Sequence, residues 1–232
     1  MRTVCLPFVL AALTFAAAHA QEACNAYFPF EEGVVLEYQY YNKKDKPEGS
    51  SYMEITALEK TGEGGIEATV TSRFSDKKGK EVYDGSYVVR CEGSTLYMDM
   101  SKLIPSQMLE SMGEMKTTME GDGLVIPADL AVGQSLPDAE MTIELAGGGL
   151  GNLMNMNYSI TNRQVEAKET VTTPAGTFDC FKITYDTSMK MMMNKTFQSA
   201  EWYAEGVGVV KSATYDKKGR LDSYMVLNKF EQ

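Results

Sequence analysis

The chain is 232 residues long, with 22 Lys and Arg against 32 Asp and Glu, a formal net charge of -10, 44% hydrophobic residues and a single histidine. Such an excess of carboxylates is repelled by phosphate backbones, which argues against a nucleic-acid partner; the same repulsion disfavours anionic membrane surfaces. The length suits one sizeable β domain that buries its own core.

Taken in chain order, the first element is a targeting segment. Arg2 precedes an apolar run from Val4 to Ala18, and Ala18-His19-Ala20 offers small residues at the two positions a signal peptidase reads. Residues 1–20 are expected to be a signal peptide cleaved between Ala20 and Gln21, leaving residues 21–232 as a single exported domain. Cleavage removes His19, the sole imidazole. The apolar run is too short to span a bilayer, and no later segment is long enough. Cys5 lies too early for a lipid-attachment site, and Cys24 is preceded by Gln21-Glu22-Ala23. The expected product is soluble, unlipidated, and periplasmic or extracellular.

Cys24, Cys91 and Cys180 survive cleavage, and an oxidising compartment favours pairing two of them. Cys24 with Cys91 is the favoured pair, because it would tie a loose N-terminus to the sheet; the alternative is three reduced thiols in core positions.

Most of the remainder reads as strands. Val34, Leu36, Tyr38 and Tyr40 alternate with Val35, Glu37, Gln39 and Tyr41. Ile66, Ala68 and Val70 alternate with Glu67, Thr69 and Thr71, and Tyr83 to Cys91 repeats the pattern. Such runs continue to Val207–Tyr215 and Leu221–Phe230. Three related stretches separate strand pairs: Asn42-Lys43-Lys44-Asp45-Lys46, Asp76-Lys77-Lys78-Gly79-Lys80 and Asp216-Lys217-Lys218-Gly219-Arg220. Asp starts such a turn through its side chain and Gly takes the positive φ that closes it, so these read as solvated hairpin tips rather than a docking surface. Short turns join antiparallel neighbours, so the sheet is expected to be largely a meander.

One stretch breaks the alternation. Met108, Met112, Met115 and Met119 recur at spacings of four, three and four, with Leu109 alongside. That spacing predicts an amphipathic helix over 105–119, opened by Pro105 and weakened by Gly113. Its apolar stripe would face a β-sheet and form a deformable groove. Gly147-Gly148-Gly149-Leu150-Gly151-Asn152 lacks the Lys-Ser/Thr of a phosphate cradle and reads as a loop.

No catalytic, cofactor-binding or metal-binding residue is nominated. Ser–His and Cys–His pairs need a base that leaves with the signal, and no Gly-x-Ser-x-Gly elbow occurs. A carboxylate-pair hydrolase is compatible with composition, but nothing in the spacing pairs two acids. The methionines suggest Cu(I), yet Met191-Met192-Met193 in a strand would point to alternate faces.

The C-terminal third is distinctive. Thr173-Pro174-Ala175-Gly176-Thr177-Phe178-Asp179-Cys180 places a tight turn before a strand, and Glu201-Trp202-Tyr203-Ala204-Glu205-Gly206-Val207-Gly208-Val209 places a second turn where Trp202 and Tyr203 would pack on Val207 and Val209. With the opening Cys24-Asn25-Ala26-Tyr27-Phe28-Pro29-Phe30, these segments resemble the DUF3108-like, or TapB-like, group of exported bacterial proteins. The resemblance implies an all-β fold: a large antiparallel meander, either a β-sandwich or a curved half-barrel, here with one inserted amphipathic helix. It carries no catalytic residue onto this chain.

The functional expectation is a non-enzymatic envelope protein that binds an apolar ligand or lipidated partner between a curved sheet and the Met-rich helix. The alternative is a structural or protein-interaction module of the envelope.

Overall fold

The computed structural model describes residues 24–98, 116–121, 123–146, 154–190 and 194–232. Thirteen strands form one antiparallel sheet. In chain order they are β1 (Val35–Asn42), β2 (Pro47–Lys60), β3 (Ile66–Asp76), β4 (Glu81–Glu92), β5 (Thr95–Met98), β6 (Lys116–Gly121), β7 (Leu124–Pro127), β8 (Ala139–Ala146), β9 (Met154–Thr173), β10 (Gly176–Lys190), β11 (Asn194–Ala204), β12 (Gly208–Tyr215) and β13 (Leu221–Glu231). The spatial order is β6-β8-β9-β10-β11-β12-β13-β1-β2-β3-β4-β5-β7. Two meanders, β8 to β13 and β1 to β5, are therefore joined where β13 pairs with β1.

The order forces curvature. β6 and β7 occupy opposite edges of the sheet, yet only residues 122 and 123 separate Gly121 from Leu124. Three peptide steps of about 3.8 Å bring the two edges to within roughly 11 Å of one another. The sheet must curl almost shut, so the single curved sheet is the form adopted rather than two packed sheets. Arg163 on β9 stitches the closure: its Nη1 donates to the carbonyls of Val125 on β7 (3.0 Å) and Pro137 (2.7 Å).

Alternation decides which face turns inward. Val34, Leu36, Ile55, Val70, Val89, Leu96, Ile126, Val165, Ile183, Val210 and Leu227 are all at most 5% exposed and form the core. The row Glu37–Tyr52–Arg73–Asp84, matched across β1 to β4, carries the opposite, charged face. A charged outer row is unlike the apolar belt of a membrane barrel. Among the described residues no helix is long and apolar enough to cross a membrane.

The N-terminal segment plugs one end of the curl. Cys24 is bonded to Cys91 on β4, and Cys180 is a buried free thiol. Asn25 is fully buried; its Nδ2 donates to the carbonyls of Ser94 and Ile126, both at 3.0 Å, and its Oδ1 accepts from the Tyr27 amide at 2.8 Å. The Gly206 amide donates to the Ala26 carbonyl, and the Tyr27 ring meets Phe181 edge-on at 6.1 Å.

The three related tips adopt one geometry. The first residue's side-chain oxygen accepts from the amides of the third and fifth: Asn42 at 2.9 and 3.3 Å, Asp76 at 2.8 and 3.0 Å, Asp216 at 2.8 and 3.1 Å. The fourth residue has positive φ in each: Asp45 (56°), Gly79 (77°) and Gly219 (69°). This is the three-residue hairpin loop in which a left-handed residue follows a type I turn.

The helix expected over 105–119 is corrected at its C-terminal end. Lys116–Gly121 is strand β6, and Met119 stands opposite Ile143 of β8. The β-branched pair Thr117-Thr118 and the backbone hydrogen bonds available along β8 outweigh a helical spacing of methionines. Met108, Leu109, Met112 and Met115 lie outside the described residues, as do the cleavage positions Ala20 and Gln21, the glycine run beginning at Gly147, and Met191–Met193.

Candidate interior site

The expected groove cannot be assembled around its Met stripe: Met119 sits in an edge strand, and the other four groove residues lie outside the described residues. The structure instead brings a polar and aromatic row together on the inner face. Register matches Tyr40 with Met225, Met225 with Ser212, Ser212 with Glu201, Glu201 with Ile183 and Ile183 with Val165, across six neighbouring strands. Directly paired residues share a face, so this is one continuous strip of inner wall.

Burial grades along the strip. Val165 and Ile183 are sealed in the core at 0% and 1% exposure, whereas Glu201, Ser212, Met225 and Tyr40 are half-buried. Met53, Tyr87 and Tyr185 on the same face are also half-buried. The Tyr87 hydroxyl donates to Met53 Sδ at 3.6 Å, the hydroxyls of Tyr40 and Ser51 are 3.3 Å apart, and the Tyr40 ring meets Phe74 edge-on at 5.3 Å. The inner wall thus passes from sealed hydrocarbon at Val165 and Ile183 to half-buried tyrosine, methionine and serine.

Glu201 is the electrostatic centre of the strip. The Tyr203 hydroxyl donates to Glu201 Oε2 at 2.7 Å. Burial, and then the Glu201 carboxylate, push the phenols of Tyr185 and Tyr203 well above their ordinary range. Burial also raises Tyr38 and Tyr158, with Glu201 adding to each. Tyr38 donates to the carbonyl of Val209 at 2.9 Å. Arg163, 4% exposed, has its pKa lowered by burial, while Tyr203, Glu201, Tyr185 and Asp138 act in the opposite direction. Among the described residues its Nε has no hydrogen-bond partner. Glu201 is thus surrounded by neutral phenols, a set suited to hydrogen bonding, with the Arg163 guanidinium buried behind them. Among the described residues no group of three or more His, Cys, Asp or Glu side chains gathers as a metal site requires.

Two further hollows lie mainly on the outer face. One of about 360 Å³ is lined by Glu37, Gln39, Ser50, Tyr52 and Arg73; the other, of about 670 Å³, by Asn162, Gln164, Glu166, Lys182 and Asp186. Both are polar and suit no apolar ligand.

Sequence reasoning quoted Glu201-Trp202-Tyr203 only as a pattern around a turn. Tyr203 does pair with Val209, but Trp202 faces the other way. Lys211 lies 4.6 Å and Lys182 5.6 Å from the Trp202 ring centroid, and its Nε1 donates to Glu169. A register shift between Trp202 and Tyr203 adjusts the strand at this point. The clue in the sequence was the pairing of an acid with tyrosines at period two, which alternation alone reads as an exposed face.

A sequence model described as DUF3108-like matches residues 31–227. The chain belongs to the DUF3108-like family. A crystal structure from Bacteroides fragilis, provisionally described as an exported protein with a YmcC-like fold, is similar over 90% of this chain and 100% of its own, at 25% identity and a TM-score of 0.72. A second, from Parabacteroides distasonis and provisionally described as a lipoprotein, covers the same shares at 24% identity and a TM-score of 0.71. No curated protein matches the chain. The two crystal structures share the fold of this DUF3108-like protein.

Proposed function

We propose that this DUF3108-like protein is a non-enzymatic protein of the cell envelope that takes an apolar or lipid-like ligand into the open half of its curled sheet. In this reading residues 1–20 are removed after Ala20, and residues 21–232 act as one domain outside the cytoplasm, without a lipid anchor. The description of the Bacteroides fragilis relative as exported supports that destination.

The observation that carries the reading is the graded inner wall: a sealed core at Val165 and Ile183 giving way to half-buried Glu201, Met225 and Tyr40. Barrels of about eight strands are filled by their own side chains, and those of about sixteen enclose a water channel. A thirteen-stranded curl lies between these sizes, which supports the reading of a ligand space beside its core. Each methylene removed from water against Met53, Tyr87 and Met225 contributes about 0.8 kcal/mol. The Tyr203–Glu201 pair and the half-buried hydroxyls supply partners for the ligand's polar end.

The test is native mass spectrometry of protein purified from its own envelope, followed by solvent extraction. A bound mass in the lipid range, lost in the wall variant Met225→Glu, is the expected result. A bare chain that also fails to take up a fluorescent fatty acid ends the idea.

A further inference from the structure

The three lysine-rich tips lie far apart in sequence but side by side in space. Strand order β12-β13-β1-β2-β3-β4 places the three turns at one end of the sheet. They touch in series: the Lys43 amide donates to the Asp222 carbonyl at 2.9 Å, the Tyr224 hydroxyl donates to Asp45 at 2.9 Å, and Lys77 Nζ lies 3.8 Å from Glu48. With strands about 4.8 Å apart, neighbouring tips are about 10 Å apart.

The rim carries nine exposed Lys and Arg residues within 43–46, 77–80 and 217–220 against four exposed acids, Asp45, Glu48, Glu81 and Asp222. Asp76 and Asp216 are turned inward onto the amides of their own loops, and Arg220 folds back on Asp216 at 2.6 Å. The lysines of all three tips are exposed, and among the described residues Lys44, Lys78 and Lys218 form no ion pair. The open half of the inner wall reaches this end, since Tyr40 lies two residues before the first tip. The plugged end instead exposes Glu31, Glu32, Glu59, Glu92 and Glu205 against Lys60 and Arg90.

We propose that this basic rim docks the protein, mouth first, on an anionic lipid bilayer surface. The net charge of -10 does not oppose this. β2 alone, with 14 residues, spans about 45 Å between the two ends, against a Debye length of about 8 Å at physiological salt. A bilayer facing the rim is screened from the acidic end. The shape favours a surface over a linear polyanion. The lysines crown separate convex tips, and the outer hollows that a polymer could trace carry Glu37 or Glu166 and Asp186. The inference goes beyond ligand uptake and stands without it, because docking is read on vesicles independently of any bound lipid.

The experiment is co-sedimentation of the exported chain with vesicles of phosphatidylcholine alone or mixed with phosphatidylglycerol, at low and high salt. Wild-type protein is expected to partition onto the phosphatidylglycerol vesicles and to be released by salt. Combining Lys44→Glu, Lys78→Glu and Lys218→Glu should weaken partitioning by at least about tenfold. Combining Lys60→Glu, Arg90→Glu and Lys168→Glu, away from the rim but with the same change in net charge, should leave it within about twofold. The milder Lys→Gln triple at the rim positions should lose binding in the same direction, covering any folding defect of the reversed set. Absence of sedimentation at low salt overturns the proposal, as does equal loss in the rim and control triples. Binding to heparin without vesicle binding reassigns the rim to a soluble polyanion. Self-association lost only in the rim triple, without vesicle binding, reassigns it to a second copy's acidic end.

Discussion

Asn25 Nδ2 stands 3.0 Å from the carbonyl oxygen of Ile126, a hydrogen bond across 101 positions of sequence. The same nitrogen reaches Ser94, so one amide links the N-terminal plug to edge strand β7 and to the β4–β5 turn. That turn has positive φ at Gly93 (54°) and Ser94 (67°), as a two-residue type I′ hairpin requires. Asn25→Ala would leave two carbonyls and the Tyr27 amide unpaired in a buried place, at a cost of about 3 kcal/mol. Asn25→Asp should cost more at neutral pH, because it turns a carboxylate toward two carbonyl oxygens. Urea unfolding of both variants checks the order.

The Cys24–Cys91 bond closes a sequence separation of 67. In the chain-entropy account, its removal by a Cys24→Ser, Cys91→Ser double substitution costs about 4 kcal/mol. Cys180 should behave oppositely. Burial, with Asp179 and Glu169 nearby, pushes its thiol up to about 11, so native protein should resist alkylation there until it unfolds. Rapid labelling of Cys180 in folded protein would contradict this placement.

Gly49 sits where β2 crosses the Tyr40–Phe74 contact. A Cβ built there would lie 2.6 Å from the Ser75 carbonyl oxygen and 2.7 Å from Phe74 Cζ. Gly49→Ala is expected to destabilise the protein by roughly 1–3 kcal/mol by forcing ring and strand apart. A shift in thermal midpoint, with the aromatic circular-dichroism signal altered, is the measurement.

Tyr27 is raised from 10 to about 12, first by burial in the plug and then by Glu205. A phenol raised on folding favours the folded state below pH 10, and this stability is lost as pH climbs from about 10 to about 12. Burial also raises Tyr38, Tyr185 and Tyr203 well above the ordinary range. Alkaline titration of phenolate absorbance should therefore show the buried set ionising together with unfolding. A single smooth titration near pH 10 for all tyrosines would falsify the burial of Tyr27, Tyr38 and Tyr203.

Asp216 is held down to about 2, chiefly by the Arg220 side chain and then by the amides of Arg220 and Lys218. A depressed carboxyl contributes stability above its unfolded value near 4, and that contribution fades as pH falls toward 2. Asp216→Asn should keep the turn, because Asn42 fills the same place in the first tip, whereas Asp216→Ala should loosen it. Amide exchange at Lys218 and Arg220 reads the difference.

Much of this molecule was legible before folding. Alternation from Val34 to Tyr41 and from Ile66 to Arg73 identifies strands and their apolar faces, because a pleated chain turns successive side chains to opposite sides. Asp and Gly at fixed offsets mark the second and third tips, and the first follows the same plan with Asn42 and Asp45 in their places. The helix reading failed at Met119 because spacing records only local geometry, whereas the open edge of β8 offered backbone partners that a helix would forgo.

Composition and pattern by themselves determine an acidic, antiparallel β protein with three basic hairpin tips and four cysteines. Tertiary structure alone decides that the edge strands β6 and β7 approach one another, that Glu201 faces inward beside Tyr203, and that the three tips form one rim. The physical reason is common to all three. Period-two alternation says which residues share a face, but curvature and the pairing of β13 with β1 are set by contacts between residues far apart in sequence, and these carry no local signature.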